Sequence, residues 1–115
     1  MKEMLKKLET ERDFITAIIK LRITPTPGAG FDKIAARIYR YPQVTSLWLI
    51  SGEYDFSLIV EGKCVKDIAT FVSEKLSAMD GVVATSTHFE LKAYKEKGVI
   101  LIEEDDTDNR EVITL

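Results

Sequence analysis

Apolar and polar residues alternate along several segments of the chain, and this alternation predicts β-strands. In residues 14–23 every second side chain is apolar, so one strand face carries Ile15, Ala17, Ile19, Leu21 and Ile23. Residues 44–51 and 54–61 are rich in β-branched and aromatic residues. Because Gly52 lies between them, these two segments predict an antiparallel pair of strands joined by a turn.

Apolar residues recur at helical spacing in residues 31–42 and 64–81. The first helix is predicted to end before Pro42, and its apolar stripe consists of Phe31, Ile34, Ala35 and Ile38. Gly81 suits the C-terminus of the second helix, whose stripe consists of Val65, Ile68, Ala69, Val72 and Leu76. Residues 3–12 predict a short N-terminal helix, which is either frayed or docked on the domain or on a partner.

Residues 82–94 predict a fourth strand after the second helix, and residues 98–103 predict a shorter fifth. The resulting order, βαββαβ, predicts an α+β ferredoxin-like sandwich with both helices on one face of an antiparallel sheet. The last residues, 112–115, can return as an extra C-terminal strand. We therefore divide the chain into an N-terminal helix and linker at residues 1–13 and one domain at residues 14–115.

Both faces of the predicted sheet carry apolar residues, although helices cover only one of them. Phe14 and Ile18 lie opposite Ile15 and Ile19 on the first strand. On the second strand, Val44, Trp48 and Ile50 lie opposite Leu47 and Leu49. A sheet face that meets water is normally polar, and a large exposed apolar patch marks an interaction surface. We therefore expect the uncovered face to pack against a second copy of the chain as a homodimer.

The composition narrows the possible classes of protein. The 115 residues, 45% hydrophobic and 30% charged, suit one compact domain. A net charge of −3 and a pI of 5.2 argue against direct DNA binding, which normally needs a basic surface. The charged N-terminus does not resemble a secretory signal, and no apolar run is long enough to span a membrane. A cytoplasmic protein without membrane contact is therefore expected.

Several features could carry chemistry, but none predicts a catalytic site, a metal site or a cofactor. Gly28 and Gly30 lack the third glycine of a dinucleotide fingerprint. His88 is the single histidine, which is too few for a catalytic triad or a metal site. Cys64 is the single cysteine, which excludes an internal disulfide, and no histidine lies near it in the sequence. The acidic tail, residues 103–111, lacks the glycine and the spacing of a calcium loop.

The turn Gly52-Glu53-Tyr54-Asp55 is different, because three polar-tipped residues cluster where a hairpin needs only the glycine. If the next strand began within it, Glu53 and Asp55 would point to one face and Tyr54 to the other. Backbone N–H groups of such a turn can hold a carboxylate, and a side-chain carboxylate can hold an amine. The pattern fits a site for a free amino acid, and it also fits an ordinary turn.

Three stretches, "GEYDFSLIV", "AMDGV" and "TSTHFELKAYKEKGVIL", together resemble the C-terminal regulatory domain of the Lrp/AsnC transcriptional regulators, often called the RAM domain. That family typically shows a G-[DE]-[YFH]-D turn and then a G-V-x-x-T-x-T strand. In this chain the two motifs read Gly52-Glu53-Tyr54-Asp55 and Gly81-Val82-Val83-Ala84-Thr85-Ser86-Thr87. The pair of motifs is fairly specific at this separation, and the resemblance spans residues 14–102.

The resemblance implies a ferredoxin-like domain that dimerises through its sheets and assembles further into octamers or discs. It also implies that amino-acid effectors bind between neighbouring dimers, in contact with the turn and with the strand after the second helix. By position, the implied effector-binding residues are Gly52, Glu53, Tyr54, Asp55, Thr85, Thr87 and His88. Some relatives carry an aromatic residue at the position of His88, so the side-chain preference of the pocket is open.

Transcription factors of that family carry an N-terminal winged helix-turn-helix, whereas only residues 1–13 precede the first predicted strand here. We expect either a stand-alone effector domain or a piece of a longer protein, and the opening Met1 favours the former. The expected function is amino-acid sensing that modulates transcription through assembly, with itself or with full-length relatives, and without direct DNA binding. Two alternatives stay open: a dimeric ferredoxin-like enzyme resembling small monooxygenases, and a purely structural oligomerisation module.

Overall fold

The computed structural model describes residues 2–11, 13–25, 27–28 and 30–103. Its elements, in chain order, are α1 (Lys2–Glu11), β1 (Ile15–Ile23), α2 (Asp32–Tyr39), β2 (Val44–Leu49), β3 (Phe56–Gly62), α3 (Val65–Phe71), β4 (Val82–Phe89), β5 (Lys95–Glu96) and β6 (Val99–Ile100). Strands β1 to β4 form one antiparallel sheet in the order β2-β3-β1-β4. This order confirms the predicted α+β, ferredoxin-like arrangement.

One face of the sheet, which we call the covered face, packs against α2 and α3 and forms the core. The predicted apolar row of β1, from Ile15 to Ile23, is 6% exposed or less. The other strand and helix residues of this core are Ile34, Ile38, Phe56, Leu58, Val60, Ile68, Phe71, Val72 and Leu76. No polar or charged residue of the described chain is buried, so removal of apolar surface from water holds the helices on the sheet.

The second helix ends differently from its prediction. It widens beyond α3 into a π-helical turn, Val72–Leu76, in which the N–H of Ser77 donates to the O of Val72 at 2.7 Å. The helix therefore ends before Gly81, and the prediction that Gly81 closes it is wrong. Gly81 instead lies in the turn into β4 with φ +95°, where a Cβ would lie 2.7 Å from Cδ1 of Ile34.

Helix α1 docks on the domain. Leu5 packs against the core, and Oε2 of Glu9 accepts a hydrogen bond from the N–H of Val65 at 3.2 Å. Because Val65 is the first residue of α3, Glu9 satisfies one of the N–H groups that a helix start leaves unpaired. Met1 and the side chain of Leu8, which the sequence places on the same face, lie outside the described residues.

The C-terminal segment departs from the predicted fifth strand. β4 ends at Phe89 instead of continuing to residue 94. Strands β5 and β6 pair with each other in a separate two-stranded sheet. Lys97 and Gly98, which join them, have φ of 48° and 82°. Two successive residues with positive φ form a tight turn that suits a hairpin. Residues 104–115, with most of the acidic tail and the predicted extra strand, lie outside the described residues.

The opposite face of the sheet, which we call the open face, has an apolar centre. Ile18 on β1 pairs with Ile59 on β3. Trp48 on β2 pairs with Ser57, two residues before Ile59 on β3, and is therefore the diagonal neighbour of Ile59 on the same face. The side chain of Trp48 is 49% exposed. Polar residues share the face around this centre: Lys20, Ser46, Ser57, Ser86 and His88.

The prediction that Val44 and Trp48 lie on the same face of the sheet is wrong. The register of β2 shifts between Val44 and Ser46, so Val44 pairs with Val60 on the covered face. The extra residue of this irregularity is Thr45, which is exposed. The open face is therefore less apolar than the alternation alone predicts.

Candidate functional site

Residues 51–55, which we call the turn, fold back on the end of β1. The N–H of Asp55 donates to the O of Leu21 at 2.9 Å, and the O of Asp55 accepts from the N–H of Ile50 at 2.8 Å. Oδ2 of Asp55 accepts from the N–H of Ile23 at 2.7 Å. Asp55 therefore fixes the turn to β1 at the point where β3 no longer runs beside it.

The strand alternation considered for residues 53–55 does not apply, because β3 begins at Phe56. Gly52 has φ +118°, and a Cβ at this position would meet no atom within 4 Å. Glycine is therefore needed here for the backbone conformation and not to avoid a clash. Glu53 is exposed while Tyr54 is half-buried, so the tip of the turn faces solvent.

Arg22, the next to last residue of β1, is the charged partner that sequence reasoning missed. Its Nη2 lies 3.1 Å from Oε1 of Glu53, and its Nε donates to the O of Glu53 at 3.4 Å. Cζ of Arg22 lies 5.5 Å from the centre of the Tyr54 ring, within range of a cation–π contact. The alternation of β1 contains this signal, because it places Arg22 on the face opposite Leu21 at the strand end that the turn reaches.

The two threonines of β4 lie on the covered face, at an edge of the sheet. Thr85 pairs with Leu21, and Thr87 pairs with Ile19. Leu21 also accepts the hydrogen bond from Asp55, so Thr85 and the turn flank the same end of β1. Thr87 lies two residues farther along β4, about 7 Å away at the rise of a strand.

His88 points to the other face of β4. It pairs with Ile18 on the open face, and its Nε2 lies 2.7 Å from Oγ of Ser86. His88 also lines, with Thr87 and Leu5, a cleft of about 280 Å³ between α1 and β4. This cleft is separate from the turn.

The structure therefore gathers the four predicted turn residues and Arg22 at one end of the sheet, with Thr85 across β1 from them. Thr87 and His88 lie beside α1 instead. Three larger clefts, of about 590, 530 and 360 Å³, are lined by none of the seven predicted residues.

Within the ranges that the structure describes, no three His, Cys, Asp or Glu side chains lie close enough to hold a metal ion. No helix in these ranges has the length and apolar character needed to cross a membrane. Cys64 is a free, half-buried thiol at the start of α3.

Two solved structures share this fold. One is TTHA0845 from Thermus thermophilus, with a TM-score of 0.59 and 26% identity, covering 71% of this chain and 99% of that chain. The other is transcriptional regulator NMB0573 from Neisseria meningitidis in complex with L-Met, with a TM-score of 0.68 and 24% identity, covering 82% of this chain and 60% of that chain.

Sequence comparison gives a family. The family model described as the Lrp/AsnC ligand binding domain matches residues 16–100. YugG, an uncharacterized HTH-type transcriptional regulator of Bacillus subtilis (strain 168), is 48% identical over 100 residues, which cover 87% of this chain and 60% of that protein. The chain thus spans 60% of the length of this relative. The chain belongs to the Lrp/AsnC family of transcriptional regulators and contains its ligand-binding domain.

Proposed function

We propose that the chain is a sensing domain that binds a free amino acid, or a similar small molecule, where its subunits meet. Binding changes the assembly of the chain, with itself or with full-length relatives, and through that assembly modulates transcription in the cytoplasm. The chain catalyses no reaction and does not contact DNA directly in this proposal. The net charge of −3 agrees with the last point.

The observation that supports amino-acid binding best is the arrangement of charge at the turn. Asp55 is fixed to β1 by its carboxylate, and Arg22 is fixed to Glu53 and Tyr54. A cation and carboxylates are therefore anchored at the same turn. A free amino acid has a carboxylate and an ammonium group and needs complementary charges at a short separation. The L-Met bound to the Neisseria regulator shows that a protein of this fold accommodates such a ligand.

The open face supports self-association. Its apolar centre of Ile18, Ile59 and Trp48 is surrounded by polar residues, which is the layout of protein–protein interfaces. A second copy related by a two-fold axis covers the same centre with its own open face. A ligand that favours one association state then shifts the population of subunits toward that state by mass action.

Two measurements test the sensing proposal. Isothermal titration of the chain with the twenty common amino acids detects binding, and sedimentation velocity with and without each amino acid detects a change in assembly. We expect at least one amino acid to release or absorb heat on binding and to change the distribution of oligomers. A chain that dimerises but responds to none of them is a structural oligomerisation module instead. A cofactor found by mass spectrometry of the purified chain would favour the enzymatic alternative, and retention of labelled DNA at physiological salt would contradict the absence of DNA contact.

A further inference from the structure

The contacts of Arg22 all lead to the turn, although the two are far apart in sequence. Glu53 binds it through a side-chain and a backbone oxygen, and the ring of Tyr54 lies beneath its guanidinium. The turn therefore fixes the direction of the arginine. The register of β4 shifts opposite Arg22 and Ile23, so the regular ladder ends at the residue that the turn holds. Such irregularities often redirect a side chain beside a functional site.

Fold stability does not account for this arrangement. The side chains of Arg22 and Glu53 are 45% and 75% exposed, and ion pairs at such positions add little to folding. Water and salt screen both charges, and two long side chains lose freedom when they pair. The ion pair therefore leaves an exposed arginine in a defined orientation, accessible to a ligand.

The guanidinium retains the capacity to bind an anion. Its contacts with Glu53 engage Nε and Nη2, while a guanidinium has further N–H donors in the same plane. Planar donors of this kind match a carboxylate with two parallel hydrogen bonds. Asp55, the residue after Tyr54, supplies a carboxylate on the same turn. A carboxylate is the group that forms charge-assisted hydrogen bonds with an ammonium group.

We propose that Arg22 is the specificity-determining residue of the effector site and binds the α-carboxylate of the effector. This inference rests on the proposed amino-acid sensing function and adds a chemical requirement to it. The site accepts molecules with a free carboxylate beside an amine and discriminates against the corresponding amides, which have lost the negative charge. Tyr54 supports the guanidinium from below, and Glu53 holds it in place before the ligand arrives.

The test compares each amino acid that binds with its own α-amide, by calorimetric titration of the whole chain. The variants are Arg22→Met, which removes the charge and keeps the length, and Arg22→Lys, which keeps a charge but loses the planar donors. Arg37→Met is the matched control, because Arg37 is an exposed arginine on α2 and belongs neither to the turn nor to the open face. Urea unfolding of every variant reports whether its fold is intact.

We expect the unmodified chain to bind the acid at least about tenfold more tightly than the amide. Arg22→Met should lose most of this preference, because binding of the acid weakens while binding of the amide stays nearly unchanged. Arg22→Lys should keep part of the preference, and Arg37→Met should keep all of it. An Arg22→Met or Arg22→Lys chain that folds and keeps the full preference overturns the assignment of Arg22 while amino-acid sensing stands. Failure of the unmodified chain to bind any of the twenty amino acids overturns both.

Discussion

The two faces of the central sheet are built from alternate residues of the same strands, yet they meet different surroundings. On the covered face, Leu21, Leu58 and Val60 have no exposed surface. On the open face, Ile18 and Ile59 keep part of their surface exposed, and polar side chains surround them. The comparison shows that neighbouring residues of one strand meet different surroundings: one residue folds the protomer, and the next remains accessible for the association that we propose.

The largest effect is expected on the covered face. Leu58→Ala removes a fully buried side chain from the centre of the core and should lower the free energy of unfolding by about 3 kcal/mol. Ile59→Ala, at the next residue of β3, is the matched control and should lower it by less than about 1 kcal/mol when the protein is dilute enough to be monomeric. Urea unfolding at low protein concentration measures both. Equal losses would mean that the two faces do not differ in the isolated protomer.

The next largest effect is expected on the open face, where dimer association is measured and not unfolding. Ile59→Asp places a charge at the apolar centre of each subunit, so a symmetric dimer buries it twice. We expect the dimer dissociation constant to rise by at least about 100-fold, which sedimentation equilibrium measures. Glu61→Lys, on the same strand and face but outside the centre, should change it much less. A dimer that tolerates Ile59→Asp would show that subunits associate through another surface.

Simple periodicity predicts most of this fold because burial on one face needs a period of two in strands and a helical period in α2 and α3. It fails where the backbone departs from the ideal. In "VTSLWL" the residues Thr45 and Ser46 are both polar, so the sequence does not reveal that the register shifts there and sends Val44 to the core. The place of the shift is decided by pairing with β3.

The candidate site is less predictable than the fold for the same reason. The motif identifies the residues of the turn, but the direction of each side chain depends on where β3 begins. Alternation places Arg22 at the end of β1, but its contacts with a segment 31 residues away are not contained in local patterns. Thr87 and His88 are adjacent in the sequence and lie on opposite faces of β4, because side chains of a strand alternate.

A smaller effect is expected where the two faces meet, at the end of β1. Asp55→Ala leaves the N–H of Ile23 without its carboxylate acceptor and should lower the free energy of unfolding by about 1–3 kcal/mol. Asp55→Asn keeps an acceptor oxygen and should recover part of this loss. Glu53→Ala, on the same turn, removes an exposed carboxylate and should change stability by no more than about 0.5 kcal/mol. Urea unfolding separates the three, and an Asp55→Ala chain as stable as the original would mean that the carboxylate does not anchor the turn.

The smallest effect is expected at the edge of the covered face, where α1 meets α3. Glu9→Ala removes the carboxylate that accepts from the N–H of Val65 and should lower the free energy of unfolding by about 1 kcal/mol, as loss of a helix cap does. Amide exchange gives the sharper measurement, because the N–H of Val65 and the backbone of α1 should exchange faster while β1 and β3 keep their protection. Glu3→Ala, in the exposed first turn of the same helix, is the control and should leave the exchange of Val65 unchanged. If both variants exchange alike, the carboxylate of Glu9 does not hold α1 on the start of α3.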